Sequence, residues 1–215
     1  MTAATVWLAT FTSFDKKLHL IACDVGQGDS ILIIYEDIQI LVDGGKPGNK
    51  ALNCLSRHIP FWDRNIEVVV ITHPQNDHFG GLIEIIERYK VENILASSLD
   101  ASSDDYQVLK SVANASQARI VNPKTGTGIV YDLIHFDVLW PTQEFLEENL
   151  EGDIGSEKDG SLGISRTNID SNDFSIVANL SIGNFNALLT GDIGPEIIDR
   201  VIETGKLRDV DYIKV

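Results

Sequence analysis

Apolar residues along this chain gather into two kinds of run. The stretches Ile66 to Thr72, Asn93 to Ala96, Leu133 to Trp140, Phe174 to Ile182 and Phe185 to Thr190 are short and rich in β-branched and aromatic residues, and they read as strands. Helix-like runs lie between them, over Asn49 to His58, Leu82 to Lys90, Asp104 to Ala115 and Glu196 to Thr204. Ser103, just before Asp104-Asp105, is a natural N-cap because its hydroxyl can accept an orphan amide of the first turn. Pro195 opens the last helix and Gly205 can end it. Near the start, Leu18 to Cys23 and Ile31 to Tyr35 are apolar runs joined by a hairpin-like turn in which Gly26 and Gly28 permit positive φ. Early hairpins followed by mixed strands and helices predict an α/β chain with two sheets packed together and helices outside.

A chain of 215 residues with 43% apolar content can bury one large core, and no solenoid-period repeat interrupts it. Residues 13–215 therefore read as a single domain. Residues 1–12 leave two readings open: the last turns of a membrane helix, or an ordinary frayed terminus. The apolar run Thr5 to Phe11 is shorter than the roughly 20 residues a span requires, so the chain as it stands should be soluble. Cys23 and Cys54 fall in a strand-like and a helix-like run and read as buried free thiols. His19, His58 and His135, in strands or near a helix end, read as structural. From Glu147 to Asp173 the chain is polar, acidic and Gly-rich, which fits either plain disorder or a mobile flap.

The chemistry concentrates in Val68-Val69-Val70-Ile71-Thr72-His73-Pro74-Gln75-Asn76-Asp77-His78-Phe79-Gly80-Gly81. Two histidines and an aspartate sit between a buried strand and an amphipathic helix, and Gly80-Gly81 is expected to let the backbone bend from one into the other. Such a loop can turn several side chains to one point. Imidazole suits zinc, manganese and iron, and a carboxylate can hold one ion or bridge two. Asp192, in the Gly turn after a strand, is a second candidate whose plainer reading is a capping residue. Gly26-x-Gly28 is a weak phosphate-loop signal, and since no helix follows it a nucleotide cofactor is rejected.

These residues resemble the metal loop of the metallo-β-lactamase fold, whose usual form is His-x-His-x-Asp-His. More narrowly, Asp24-Val25-Gly26-Gln27-Gly28-Asp29-Ser30, Ile59-Pro60-Phe61-Trp62-Asp63-Arg64 and Leu188-Leu189-Thr190-Gly191-Asp192-Ile193 resemble, in order, the hydrolase-like C-terminal domain of ComEC-type DNA-uptake proteins. The resemblance implies an αββα sandwich of two mixed sheets, with metal ligands His73, Gln75, Asp77, His78 and Asp192. Of these, Asp77 and His78 are implied to be catalytic. It places Asp24, Gln27 and Asp29 on the rim and Asp43 behind the loop as a supporting carboxylate. Two departures imply a weakened site that takes one ion, Zn or Mn, more readily than two. Gln75 stands where relatives have His or Asp, and the chain stops after Asp211-Tyr212-Ile213-Lys214-Val215, where relatives continue into a ligand-bearing Pro-His-His-Gly-Ser segment. Asn172-Asp173-Phe174-Ser175 resembles a family stretch with paired asparagines.

Charge alters the picture of the substrate. A formal charge of −15 repels phosphate backbones, and no Lys/Arg cluster offsets it. The resemblance implies DNA, single- or double-stranded, as the substrate of a phosphodiesterase or nuclease-like hydrolase, and the charge makes it a weakly held one. Its implied setting is the extracytoplasmic face of a bacterial membrane beside a membrane-embedded competence channel. The competing reading is a metal-free, non-catalytic module supporting that channel.

Overall fold

The computed structural model describes residues 17–156 and 160–214; the segment 1–12 lies outside them. Among the described residues no helix is long and apolar enough to cross a membrane. In chain order the elements are β1 (Leu18–Ala22), β2 (Ile31–Tyr35), β3 (Ile38–Val42), α1 (Gly48–His58), β4 (Asn65–Ile71), α2 (Asn76–Phe79), α3 (Leu82–Arg88) and β5 (Lys90–Ala96). They continue with α4 (Asp104–Ala115), β6 (Arg119–Val121), β7 (Gly128–Tyr131), β8 (Ile134–Trp140), α5 (Gln143–Asn149), β9 (Glu151–Gly152) and β10 (Ser165–Arg166). A 3₁₀ turn (Ser171–Phe174) leads to β11 (Val177–Ile182), β12 (Phe185–Leu189), α6 (Pro195–Glu203) and β13 (Tyr212–Lys214).

Two mixed sheets form, ordered β1-β2-β3-β4-β5-β6 and β13-β12-β11-β8-β7, beside the small β9–β10 ribbon. β3, β4, β5 and β6 run parallel, as do β12 and β13, while the other pairs in the two main sheets are antiparallel. Between the sheets Ile31, Ile33, Val68, Val70 and Leu95 meet Phe136, Val138, Leu180 and Leu189. The alternate residues Leu32, Leu41, Val69, Ile71 and Ile94 point to the other face, under Leu55, Leu82, Ile85 and Leu109 of the helices. With both faces covered, the strands read as unbroken apolar runs instead of alternating ones. On the far side of the second sheet, Trp140 and Val177 pack under Phe145, Leu146, Ile197 and Val201 of α5 and α6. The layers are helix, sheet, sheet, helix, the αββα sandwich.

Topology decides where chemistry can gather. Parallel pairing brings the C-terminal ends of β3 and β4 together, and the start of antiparallel β2 lies at the same edge. Segments following β3 and β4 and preceding β2 therefore share one end of the sandwich.

Three expectations are corrected. Cys23 and Cys54 form a disulfide, with no free cysteine among the described residues. The β1–β2 turn lays Cys23 against α1, and the sequence separation of 31 hid that contact. Gly80 and Gly81 are right-handed helical, with φ of −56° and −73°, so they do not serve a bend that only glycine can make. They are needed for close approach: a Cβ at Gly81 would lie 2.1 Å from the Gly44 carbonyl oxygen. The described part of the Glu147–Asp173 stretch is also built into the fold instead of disordered. Asn122 Nδ2 donates to the Ser161 carbonyl at 3.0 Å, and the Ser161 amide donates back to Asn122 Oδ1 at 2.9 Å. Leu162 enters the core under the helices.

Candidate metal centre

Asp43 follows β3 in the left-handed region, φ 59°, and is 1% exposed. Its Oδ1 accepts from the Thr72 amide at 2.9 Å and its Oδ2 from the Thr72 hydroxyl at 2.7 Å. His78 Nδ1 reaches the same Oδ2 at 2.9 Å. One buried carboxylate thus ties the end of β4 to α2.

The tie also sets a tautomer. The Thr72 hydroxyl has one proton and gives it to Asp43, so at 3.1 Å from His73 Nδ1 it can only accept. His73 then carries its proton on Nδ1 and presents the Nε2 lone pair. That nitrogen is buried and has no hydrogen-bond partner, whereas buried polar atoms are normally paired. The His73 and His78 rings lie 4.1 Å apart between centroids.

Asp192 arrives from the Gly turn after β12, and its Oδ2 lies 3.1 Å from His78 Nε2. Ligand atoms of His73, His78 and Asp192 all fall within 4.8 Å of one another, and so do those of Asp29, Asp43 and His78. Lys214, at the end of β13, donates to Asp29 Oδ2 and lies 3.5 Å from Asp192 Oδ1.

The electrostatics follow from this crowd of carboxylates. Burial alone would depress His78, but the hydrogen bond and charge of Asp43, with Asp192 and Asp29, outweigh it and raise its pKa to about 9. His73 goes the other way. Burial and the neighbouring His78 charge lower it, against the opposing pull of Asp43, Asp192 and Asp77. For Asp192, burial works upward, yet His78, Lys214 and His73 hold the acid below its ordinary range. The site therefore holds one charged and one neutral imidazole beside an ionised Asp192.

The remaining sequence candidates are placed as follows. Asp77, in the first turn of α2, is half-buried and close enough for its charge to act on His73, but it stands outside both ligand trios. Gln75 donates through Nε2 to Asn172 Oδ1 and to Ser171 Oγ, which ties the loop to the 3₁₀ turn. Asp29 Oδ2 is 3.9 Å from His78 Nδ1. Gln27 is exposed and bridges to Lys46 through its backbone. Asp24 is exposed and faces a depression lined by Lys50, Arg57 and the disulfide. His19, His58 and His135 stand exposed elsewhere. The turn between β1 and β2 is pressed against α2: a Cβ on Gly28, whose φ is +77°, would sit 1.6 Å from the Asp77 carbonyl oxygen.

A model of the metallo-beta-lactamase superfamily matches residues 23–204, most of the chain. The chain belongs to that superfamily. Its members are generally metal-dependent hydrolases. Solved structures agree on the fold. The metallo-beta-lactamase fold protein YhfI from Bacillus subtilis matches with a TM-score of 0.53 at 13% identity, over 91% of this chain and 69% of its own. A Cronobacter sakazakii metallo-beta-lactamase with a HARLDQ motif matches at 0.54 and 11%, over 90% and 73%. Zinc-bound PqqB from Methylobacterium extorquens matches at 0.51 and 10%, over 99% of this chain and 64% of that one. No curated protein matches the chain in sequence.

Sequence reasoning missed two residues of this superfamily member's centre. Thr72 reads as the last residue of a strand, and only the position of Asp43 shows that its hydroxyl sets the His73 tautomer. Lys214 carried a signal that went unused. Tyr212 packs between the sheets and Ile213 is 51% exposed, so the period-2 alternation turns Lys214 inward.

Proposed function

We propose that this chain is a divalent-metal-dependent phosphodiesterase or nuclease-like hydrolase of the ComEC type, with His73, His78 and Asp192 as the principal ligands. The observation that carries the reading is the buried, unpartnered Nε2 of His73 beside His78 and Asp192. Two imidazoles and a carboxylate are a donor set that suits zinc and also manganese. A bound ion of this kind supplies Lewis acidity to water and to a phosphoryl oxygen.

The chain's own residues do the positioning. Asp43 and Thr72 orient the two rings, as supporting carboxylates and hydroxyls do around metal-ligating histidines. Asp192 balances the charge of His78 and must exchange that partner for the ion. Asp77, half-buried beside His73, is available as a further carboxylate at the mouth. Support for a phosphodiester substrate comes from the Asp24–Ser30 and Ile59–Arg64 resemblances. The net charge of −15 implies weak grip on long DNA. The Cys23–Cys54 disulfide supports an oxidising, extracytoplasmic setting.

The test is metal content of protein purified without chelator, followed by hydrolysis of a bis-aryl phosphodiester and of single-stranded DNA with added zinc or manganese. Activity that His73→Ala and Asp192→Asn each abolish supports the reading. Metal-free protein that gains neither ion nor activity would leave the non-catalytic module.

A further inference from the structure

We infer that the Lys214 ammonium is a built-in cation that takes the place of a second metal ion, so that the centre holds one ion and Lys214 supplies the other positive charge. The inference rests on the reading of His73, His78 and Asp192 as a metal centre.

Lys214 is only 12% exposed along its side chain, and an ammonium withdrawn that far from water needs partners. It has them at the site. Nζ donates to Asp29 Oδ2, lies 3.5 Å from Asp192 Oδ1, and lies 3.5 Å from the Gly191 carbonyl oxygen. The backbone is held as well: the Lys214 carbonyl accepts from Thr190 Oγ1 at 2.8 Å, and β13 pairs in parallel with β12 so that Lys214 lies opposite Leu189. The ammonium is therefore delivered by a strand, not by a loose tail.

The second ligand trio, Asp29, Asp43 and His78, is already committed. Asp43 is shared between Thr72 and His78, and Asp29 holds Lys214. The first trio, by contrast, keeps an open donor in His73 Nε2. Removing the ammonium should free Asp29 and open the second position.

The test is zinc and manganese titration of chelator-stripped protein by calorimetry, with bound metal counted by elemental analysis, on the parent chain and on Lys214→Met, Lys214→Gln and Lys214→Arg. Circular dichroism and thermal melting confirm that each is folded. The expected result is one ion for the parent and for Lys214→Arg, and two for Lys214→Met or Lys214→Gln. Asp29→Asn added to Lys214→Met should return the count to one. A parent that binds two ions, or neutral variants that still bind one, overturns the inference. A parent that binds none while the neutral variants bind one overturns the proposed metal centre and, with it, this inference. If parent and variants all bind none, both fall.

Discussion

Raising the pH of the metal-free protein from 7 to 9 should weaken its fold through a single side chain. His78 titrates near 9 in the folded chain and near its ordinary 6.5 when unfolded. Because the folded value is the higher one, its contribution is fully present below about pH 6.5 and is lost as the pH passes through 9. The separation corresponds to about 3 kcal/mol, of which about 2 kcal/mol falls between pH 7 and pH 9. His73 has the opposite sign, since its folded value is lowered, but its effect is complete by about pH 7, when the unfolded imidazole is already neutral. Urea unfolding in chelator, followed by tryptophan fluorescence, reads the change. With a slope of about 2 kcal/mol per molar, the midpoint should fall by about 1 M across this window. In His78→Gln the fall should vanish. A midpoint that is flat in the parent, or one that falls equally in the variant, would refute the assignment of a charged His78 clamped between Asp43 and Asp192.

Other expectations follow from the same geometry. Binding of zinc at pH 7.5 should release about one proton per ion to the buffer, because His78 must lose its Nε2 proton to ligate the ion that takes the place of Asp192 as its partner; calorimetry in buffers of different ionisation heat measures it. Asp43→Asn keeps the volume but weakens the hold on both rings, so zinc affinity should drop by about 10- to 100-fold with little change in far-UV circular dichroism. Gly28→Ala places a methyl 1.6 Å from the Asp77 carbonyl at a positive φ, and should destabilise the fold by more than about 2 kcal/mol in chemical denaturation. Replacing both Cys23 and Cys54 by Ser should cost about 3–4 kcal/mol for a closed loop of 31 residues, read in the same way.

The sandwich was legible because its signals are local. Val68-Val69-Val70-Ile71 announces a strand buried on both faces, Ser103 caps α4 by accepting the Tyr106 amide at 3.3 Å, and Pro195 opens α6. His73 and His78 were legible for the same reason, being five residues apart on one loop. What stayed hidden depends on partners distant in sequence. The disulfide needs the β1–β2 turn folded onto α1, and Lys214 needs β13 beside β12. The described part of the Glu147–Asp173 stretch looked unstructured because its order comes from Asn122, Ser98 and Leu99, none of them nearby in the chain. Phe174 falls in the 3₁₀ turn and not in a strand, because Ser175 turns back to donate its amide to the Asn172 carbonyl.

The central claim is most directly tested by anomalous diffraction at the zinc edge from a crystal of the zinc-loaded protein. The account predicts one peak, about 2.0–2.1 Å from His73 Nε2 and within bonding distance of His78 and Asp192. A zinc peak remote from His73, or a His73 Nε2 that remains without a ligand at full zinc loading, would contradict it.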